Sequence, residues 1–132
     1  MLTRKDLLDN AKGKLMDAEI LYKAGRYDSS CYLCGYAVEL ALKARILKHL
    51  KWVGIPDKVD RSSPYQIIKT HDPDYLLQFT GIETKLKPAL QAEWSVALKW
   101  GPELRYQHGV KKEPDARQML DSAKKLVEVI KR

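Results

Sequence analysis

Apolar positions recur with the spacing of an α-helix along most of the chain, and no convincing run of strand-like alternation interrupts them. The first apolar stripe has spacings of three and four residues and consists of Leu7, Ala11, Leu15, Ala18 and Tyr22. Thr3 and Asp6 form a capping pair before it, and Gly25 is a typical stop after it. The pattern therefore predicts a first helix over residues 4–24.

A four-residue break, Gly25 to Asp28, leads to a second helical segment over residues 28–50, with Asp28 as the expected N-cap. So short a connection predicts that the two helices pack antiparallel.

Over residues 31–42, only Gly35 and Glu39 are neither apolar nor aromatic. A helix that is apolar on nearly all sides must be covered on most of them. One source of cover in a small bundle is a second copy of the chain, so we expect a homodimer.

Glycines and prolines break up residues 52–81, where no long element is expected. One short helix is predicted inside this stretch. Asp72 is a good cap for it, Pro73 suits its first position and Gly81 supplies a stop.

Two more long helices complete the pattern. The third is expected over residues 84–100, with Pro88 in or near its first turn. Its inward residues are Leu86, Leu90, Trp94 and either Ala97 or Leu98. The fourth begins near Pro114, and its inward residues are Ala116, Leu120, Ala123, Val127 and Ile130. The sequence therefore predicts an all-α fold. It is an up-and-down four-helix bundle with an additional short helix between helices two and three, forming a single domain over residues 1–132.

The bulk composition agrees with one folded domain, since 45% of the 132 residues are hydrophobic and 31% are charged. No apolar stretch approaches the roughly 20 residues that cross a membrane. Charged residues at the N-terminus argue against a secretory signal, so we expect a cytoplasmic protein without a membrane partner. The net charge of +7 favours an anionic partner, with RNA or a nucleotide ahead of a membrane. The alternative is that the charge only keeps the surface soluble.

The two cysteines, Cys31 and Cys34, have C-x-x-C spacing. A thioredoxin-type redox site would need strands around it, and a structural zinc site usually needs four ligands. Neither context is present, so we expect two small core residues. The three histidines are scattered, and we expect no metal site and no cofactor.

Glu39 and Lys43 lie one turn apart on the most apolar helix, where charged groups need partners. We expect an ion pair that fixes the packing register, with contact to a nucleotide as the alternative. His71 is expected to cap or brace the short helix rather than to act as a ligand.

The stretch AGRYDSSCYLCGYAVELALKARIL, residues 24–47, resembles the HEPN family, the higher eukaryotes and prokaryotes nucleotide-binding domain. The shared features are a Gly-Arg-Tyr turn at residues 25–27, then Glu39 and the Ala-Leu-Lys-Ala run at residues 41–44. The segment KTHDPDYLL, residues 69–77, is similar to the family's Thr-His-Asp/Asn-Leu segment. The arginine–tyrosine pair before the last helix is also family-like.

The resemblance implies a helical bundle that is often dimeric. Many members are encoded beside a minimal nucleotidyltransferase, in toxin–antitoxin or phage-defence pairs, so such a partner is expected here. Catalytic members are metal-independent ribonucleases that use Arg-x4–6-His, with the sites of two protomers facing each other. Other members lack that motif and serve as binding or interaction modules.

Arg105 and His108 stand where the family's arginine and histidine would lie, but two residues separate them instead of four to six. A histidine can take the proton of a ribose 2′-hydroxyl, and an arginine can stabilise the charge that builds on the phosphate. A metal-independent endoribonuclease with Arg105 and His108 as catalytic residues is therefore one hypothesis. The alternative is that Arg105 pairs with an acid such as Glu103, and that His108 is a surface turn residue.

Basic and aromatic residues concentrate around this pair. The candidates for binding a nucleotide or single-stranded RNA are Lys99, Trp100, Tyr106, Lys111, Lys112 and Arg117, with the two aromatic rings as stacking surfaces. Such a charge run is also typical of a solvated face. Because the arginine–histidine spacing departs from the family's, we favour a protein that binds RNA, a nucleotide or a partner nucleotidyltransferase over one that cleaves RNA. A purely structural interaction module is the third hypothesis.

Overall fold

The computed structural model describes residues 1–132 and holds six α-helices. They are α1 (Arg4–Lys23), α2 (Tyr27–Leu50), α3 (Pro73–Leu77), α4 (Glu83–Ala89), α5 (Gln91–Ala97) and α6 (Glu113–Ile130). The connections contain two 3₁₀ helices, Pro64–Lys69 and Pro102–Tyr106, and one antiparallel pair of strands, β1 (Leu2–Thr3) and β2 (Gly54–Ile55). The predicted all-α fold class is confirmed.

Helix α1 begins and ends where local chemistry predicts. The Thr3 hydroxyl accepts a hydrogen bond from the Asp6 N–H at 3.2 Å, and the Asp6 carboxylate accepts one from the Thr3 N–H at 2.9 Å. After the helix, Gly25 has a φ of +76°, which residues with side chains rarely adopt. The chain therefore turns sharply from α1 into α2.

The predicted N-cap of α2 is wrong. Arg26 occupies the N-cap position, no side chain caps the helix, and Asp28 lies within its first turn. The Asp28 carboxylate is engaged by the chain before α6 instead, because three backbone N–H groups there donate to it. The N-terminus of α2 is left without a side-chain cap.

Helices α1, α2 and α6 pack against one another, and the chain has a core cluster of 29 buried residues. Helix α5 lies on α6, while α3 and the 3₁₀ helix Pro102–Tyr106 lie on α2. Most positions of α2 between Ser30 and Leu47 are buried by these neighbours. The apolar surface of α2 is therefore covered by its own chain and does not require a second copy. The homodimer stays a prediction, and it needs a different surface.

The predicted third helix is two short helices, α4 and α5. Pro88 has no N–H to donate to the preceding turn, and the backbone leaves the helical conformation at Leu90, with φ −128° and ψ 42°. Helical structure also ends before Leu98, which is 42% exposed. The fully buried members of the predicted inward stripe are Leu86, Trp94 and Ala97.

Helices α3 and α6 form as predicted. The Asp72 carboxylate accepts from the N–H groups of Asp74 at 3.0 Å and Tyr75 at 3.4 Å, and Pro73 is the first helical residue. Helix α6 buries its whole predicted stripe, Ala116, Leu120, Ala123, Val127 and Ile130. None of the helices combines the length and the apolar content needed to cross a membrane.

Cys31 and Cys34 are free and buried in the core, as predicted. Burial raises the pKa of Cys31 to about 11 and that of Cys34 to about 12. Both side chains are therefore thiols near neutral pH, which suits a packing role.

Candidate anion-binding cleft

The turn between α1 and α2 lies beside the chain that leads into α6, and the two segments enclose a cleft of about 300 Å³. We call it the α2 cleft, because the first residues of α2 form one wall. It is lined by Gly25, Arg26, Tyr27, Asp28, Ser29, Gln107, His108, Gly109, Lys111 and Lys112. Only one lining residue, Tyr27, is hydrophobic. The α2 cleft is therefore polar and suits a charged ligand.

Asp28 fixes the two walls of the α2 cleft relative to each other. Its carboxylate accepts hydrogen bonds from the backbone N–H groups of Gly109 at 2.6 Å, Val110 at 3.2 Å and Lys111 at 2.8 Å. Gly109 has a φ of +70°, a conformation in which glycine avoids the strain of a side chain. Burial alone would raise the pKa of Asp28, but these hydrogen bonds outweigh it and hold the pKa below its ordinary value. Asp28 is thus a carboxylate near neutral pH.

The electrostatics of the α2 cleft favour an anion. The first N–H groups of a helix carry partial positive charge, and no side chain caps those of the 24-residue α2. Arg26, Lys111 and Lys112 add positive charge at the same place, and none of them belongs to an ion pair. Asp28 supplies the one negative side chain of the lining, and its hydrogen bonds already occupy it. The remaining cations are available to a ligand.

Of the eight residues predicted for the site, three line the α2 cleft: His108, Lys111 and Lys112. Lys99 is exposed and lines a smaller pocket of about 60 Å³ between α2, α5 and α6, which also includes Lys111. Arg117 lies 3.6 Å from the carboxylate of Glu113, in the first turn of α6. The structure therefore brings together only part of the predicted cluster.

The predicted catalytic pair is divided between two environments. His108 is exposed and lines the α2 cleft. Arg105 is exposed on the 3₁₀ helix, lies outside that lining, and has its guanidinium 5.1 Å from the centre of the Tyr106 ring. Tyr106 itself is 78% exposed, so its ring can be reached by a ligand.

Trp100 is a core residue, which corrects its prediction as an open stacking surface. Its side chain is only 6% exposed, and its Nε1–H donates to the Tyr32 carbonyl at 3.0 Å. The ring lies directly on Gly35 of α2, where a Cβ would stand 2.0 Å from it. Trp100 therefore anchors the chain between α5 and α6 onto α2.

Two residues of the α2 cleft were missed from the sequence. In the sequence Arg26 stands out only as part of the Gly-Arg-Tyr turn, yet it lies at the N-cap of α2 inside the cleft. Gln107 has a buried Oε1 that finds no hydrogen-bond partner in the chain. The turn motif was a signal for Arg26, whereas nothing in the sequence marks the isolated Gln107 oxygen.

The charged group in α2 is structural, as expected. Glu39 is only 3% exposed, and its two oxygens lie 2.9 Å from Lys43 Nζ and 2.9 Å from His71 Nδ1. The predicted ion pair is confirmed, and His71 ties the segment before α3 to α2. No group of three or more histidine, cysteine, aspartate or glutamate side chains lies close enough together to hold a metal ion.

Comparison with known proteins supports the resemblance over the first part of the chain. Residues 4–53 match the family model of the HEPN domain. The matched segment contains α1, the Gly-Arg-Tyr turn and α2, and so one wall of the α2 cleft. Neither a curated protein nor a solved structure matches the chain.

Proposed function

We propose that this chain, whose residues 4–53 match the HEPN domain, binds RNA or a nucleotide by holding its phosphate groups in the α2 cleft. One observation carries the proposal. The cleft brings Arg26, Lys111 and Lys112 to the uncapped N-terminus of a long helix, with no ion pair to neutralise them.

A phosphate suits this arrangement for two reasons. Helix N-termini bind phosphate through their free N–H groups and partial charge. Arginine and lysine contribute charge-assisted hydrogen bonds, which are stronger than neutral ones. Asp28 holds the loop that carries the two lysines, so part of the site is ordered before a ligand arrives.

Binding fits the geometry better than cleavage by the predicted pair. Catalysis by Arg105 and His108 needs both groups within hydrogen-bond reach of the same reacting atoms. Only His108 lines the α2 cleft, while Arg105 lies against Tyr106. We therefore rank the endoribonuclease hypothesis below phosphate binding. Incubating RNA with the protein in EDTA tests it directly. Cutting that disappears in His108→Ala would favour it.

A protein partner is the second proposed function, and a specific surface favours it. Met16 and Ile20 lie one turn apart on α1 and are 58% and 64% exposed. Exposed apolar side chains close together suit a protein interface. A minimal nucleotidyltransferase of a toxin–antitoxin or defence pair, or a second copy of the chain, are the candidates. Co-purification with a neighbouring gene product, compared between the native chain and Met16→Glu/Ile20→Glu, tests this surface.

The binding proposal is tested by fluorescence anisotropy with a labelled single-stranded RNA. Arg26→Ala should weaken binding roughly tenfold, because a hydrogen bond to a charged group is lost. Arg61→Ala is the matched control. Arg61 is exposed and follows β2. Strand β2 pairs with β1 just before the start of α1, whereas the α2 cleft lies just after the end of α1. Equal affinity of the two variants would contradict the proposal.

A further inference from the structure

We propose that Tyr22 is a positioning residue of the α2 cleft, because its hydroxyl holds the Glu113 carboxylate away from the two lysines that precede Glu113 in the chain. The charge of Lys111 and Lys112 then stays available to an anion. This inference rests on the proposed phosphate-binding function of the same cleft. It adds a control on the strength of the site, exerted by a residue that does not itself line the cleft.

Glu113 is the acid that would otherwise neutralise the site. It directly follows Lys111 and Lys112 and is the first residue of α6, but it lies outside the cleft that both lysines line. The other nearby carboxylates are already engaged. Asp28 accepts from the loop N–H groups, and Asp115 accepts from the Lys112 N–H at 2.9 Å. Glu113 is therefore the carboxylate whose position decides how much positive charge the cleft presents.

Two contacts hold Glu113 outside the cleft. Tyr22, in the last turn of α1, donates its hydroxyl hydrogen to Glu113 Oε2. Arg117, one turn further along α6, has its Nη1 3.6 Å from Glu113 Oε1. The Arg117 and Glu113 side chains are 60% and 38% exposed, and ion pairs between such exposed groups contribute little. A hydrogen bond to an ionised carboxylate is stronger than one between neutral groups, so Tyr22 provides the main restraint.

The Tyr22 side chain is fixed in the place where it makes this contact. It packs on the hydrophobic core, and its ring centre lies 5.9 Å from that of Tyr27, which lines the cleft on the other side of the turn at Gly25. The hydrogen bond to Glu113, together with burial, raises the pKa of Tyr22 above its ordinary value. The hydroxyl therefore keeps its hydrogen, and remains a donor, well above neutral pH.

Fluorescence anisotropy with a labelled oligo(A) RNA decamer tests the role of Tyr22. Tyr22→Phe keeps the ring and removes the hydroxyl, so that Glu113 is free to pair with Lys112. Affinity should then fall roughly three- to tenfold at low salt, the value of one hydrogen bond. Tyr65→Phe is the matched control, because the Tyr65 ring packs on Trp52, just beyond the opposite end of α2. This variant should bind like the native chain.

A second substitution separates positioning from simple structural support. Tyr22→Phe/Glu113→Gln should bind at least as tightly as the native chain, because no carboxylate is left to compete for the lysines. If Tyr22 only held α6 against α1, the double variant would bind as weakly as Tyr22→Phe. Glu113→Gln alone should not weaken binding. Thermal melting followed by circular dichroism checks that each variant is folded.

The results distinguish this inference from the proposed function. Native affinity in Tyr22→Phe, or no recovery in the double variant, would overturn the role of Tyr22. If Arg26→Ala still weakened binding in that case, the phosphate site would stand. Absence of decamer binding by the native chain would overturn the proposed function itself.

Discussion

The two ends of the helical bundle both carry basic side chains, but the backbone groups around them differ. At the end where α1 starts, Arg4 Nη2 donates to the Lys131 carbonyl at 2.7 Å and Lys48 Nζ donates to the Arg132 carbonyl at 2.5 Å. These cations satisfy carbonyl groups at the C-terminal end of α6, where positive charge is stabilising. At the opposite end, Arg26 and Lys112 lie in the α2 cleft beside the N-terminus of α2, which no side chain caps, and neither belongs to an ion pair.

The difference separates cations that are hydrogen-bonded within the fold from cations that remain available to a ligand. A cation at a helix C-terminus can donate to the carbonyl groups of that helix. A cation at a helix N-terminus adds to the positive potential of the helix, so that the site attracts an anion from outside the chain. The net charge of +7 does not reveal this distinction. The distinction depends on whether each cation lies at the N-terminus or at the C-terminus of a helix.

Reversing the charges at each end should give the largest contrast. Arg26→Glu/Lys112→Glu should weaken RNA binding by roughly a hundredfold or more, since two phosphate contacts become repulsive. It should leave the melting temperature nearly unchanged, because acidic residues suit a helix N-terminus. Anisotropy titration and thermal melting measure the two effects.

Arg4→Glu/Lys48→Glu is the matched variant at the other end, with the same net charge. It should lower the melting temperature and leave RNA affinity within about threefold of the native chain. Equal loss of affinity in both double variants would mean that binding depends on net charge alone, and the comparison between the two ends would fail.

Gly35→Ala should disturb the packing of Trp100 on α2, which anchors the chain between α5 and α6. A Cβ there would stand 2.0 Å from the Trp100 ring, so the ring must move away from α2. Overpacking of this kind costs about 1–3 kcal/mol in the free energy of unfolding, more than alanine's better helix propensity returns. Urea denaturation measures the loss.

Gly13→Ala on α1 is the control. A Cβ at that position meets nothing within 4 Å, so this variant should be neutral or stabilising. An unchanged stability of Gly35→Ala would contradict the anchoring role of Trp100.

Asp28→Asn should give the smallest effect, confined to the loop before α6. The pKa of Asp28 is lowered in the folded state, so its contribution to stability is present above the unfolded pKa of about 3.9. That contribution is lost as pH falls through the lower folded pKa. We expect the variant to lose about 1 kcal/mol near neutral pH. The amide resonances of Gly109 and Lys111 should shift with acid in the native chain but not in the variant. A titration midpoint above 3.9 in the native chain would contradict the sign.

Local chemistry explains what the sequence could predict. Thr3 with Asp6 and Asp72 with Pro73 are caps whose partners lie within three residues, and both formed as expected. The buried stripe of α6 follows from its period alone. These features depend on neighbours along the chain, so a pattern of residues is enough to find them.

Long-range contacts explain which features the sequence could not predict. Asp28 looks like a helix cap, but its partners lie 81 to 83 residues away, and they decide its role. Trp100 looks like an open ring in a loop, yet the absence of a side chain at Gly35 creates the place that buries it. Arg105 lies on the 3₁₀ helix and His108 in the loop after it, so that only His108 lines the α2 cleft, and their catalytic role stays a prediction. The errors at Asp28 and Trp100 both concern residues whose environment is supplied by a distant segment.

Backbone amide shift mapping with single-stranded RNA tests the central claim most directly. If the α2 cleft is the binding site, the largest perturbations on adding a decamer fall on residues 26–29 and 107–112, while amides near Arg4, Lys48 and Lys131 stay in place. Perturbations centred on that other end, or no perturbation at RNA concentrations well above those of the protein, would contradict it.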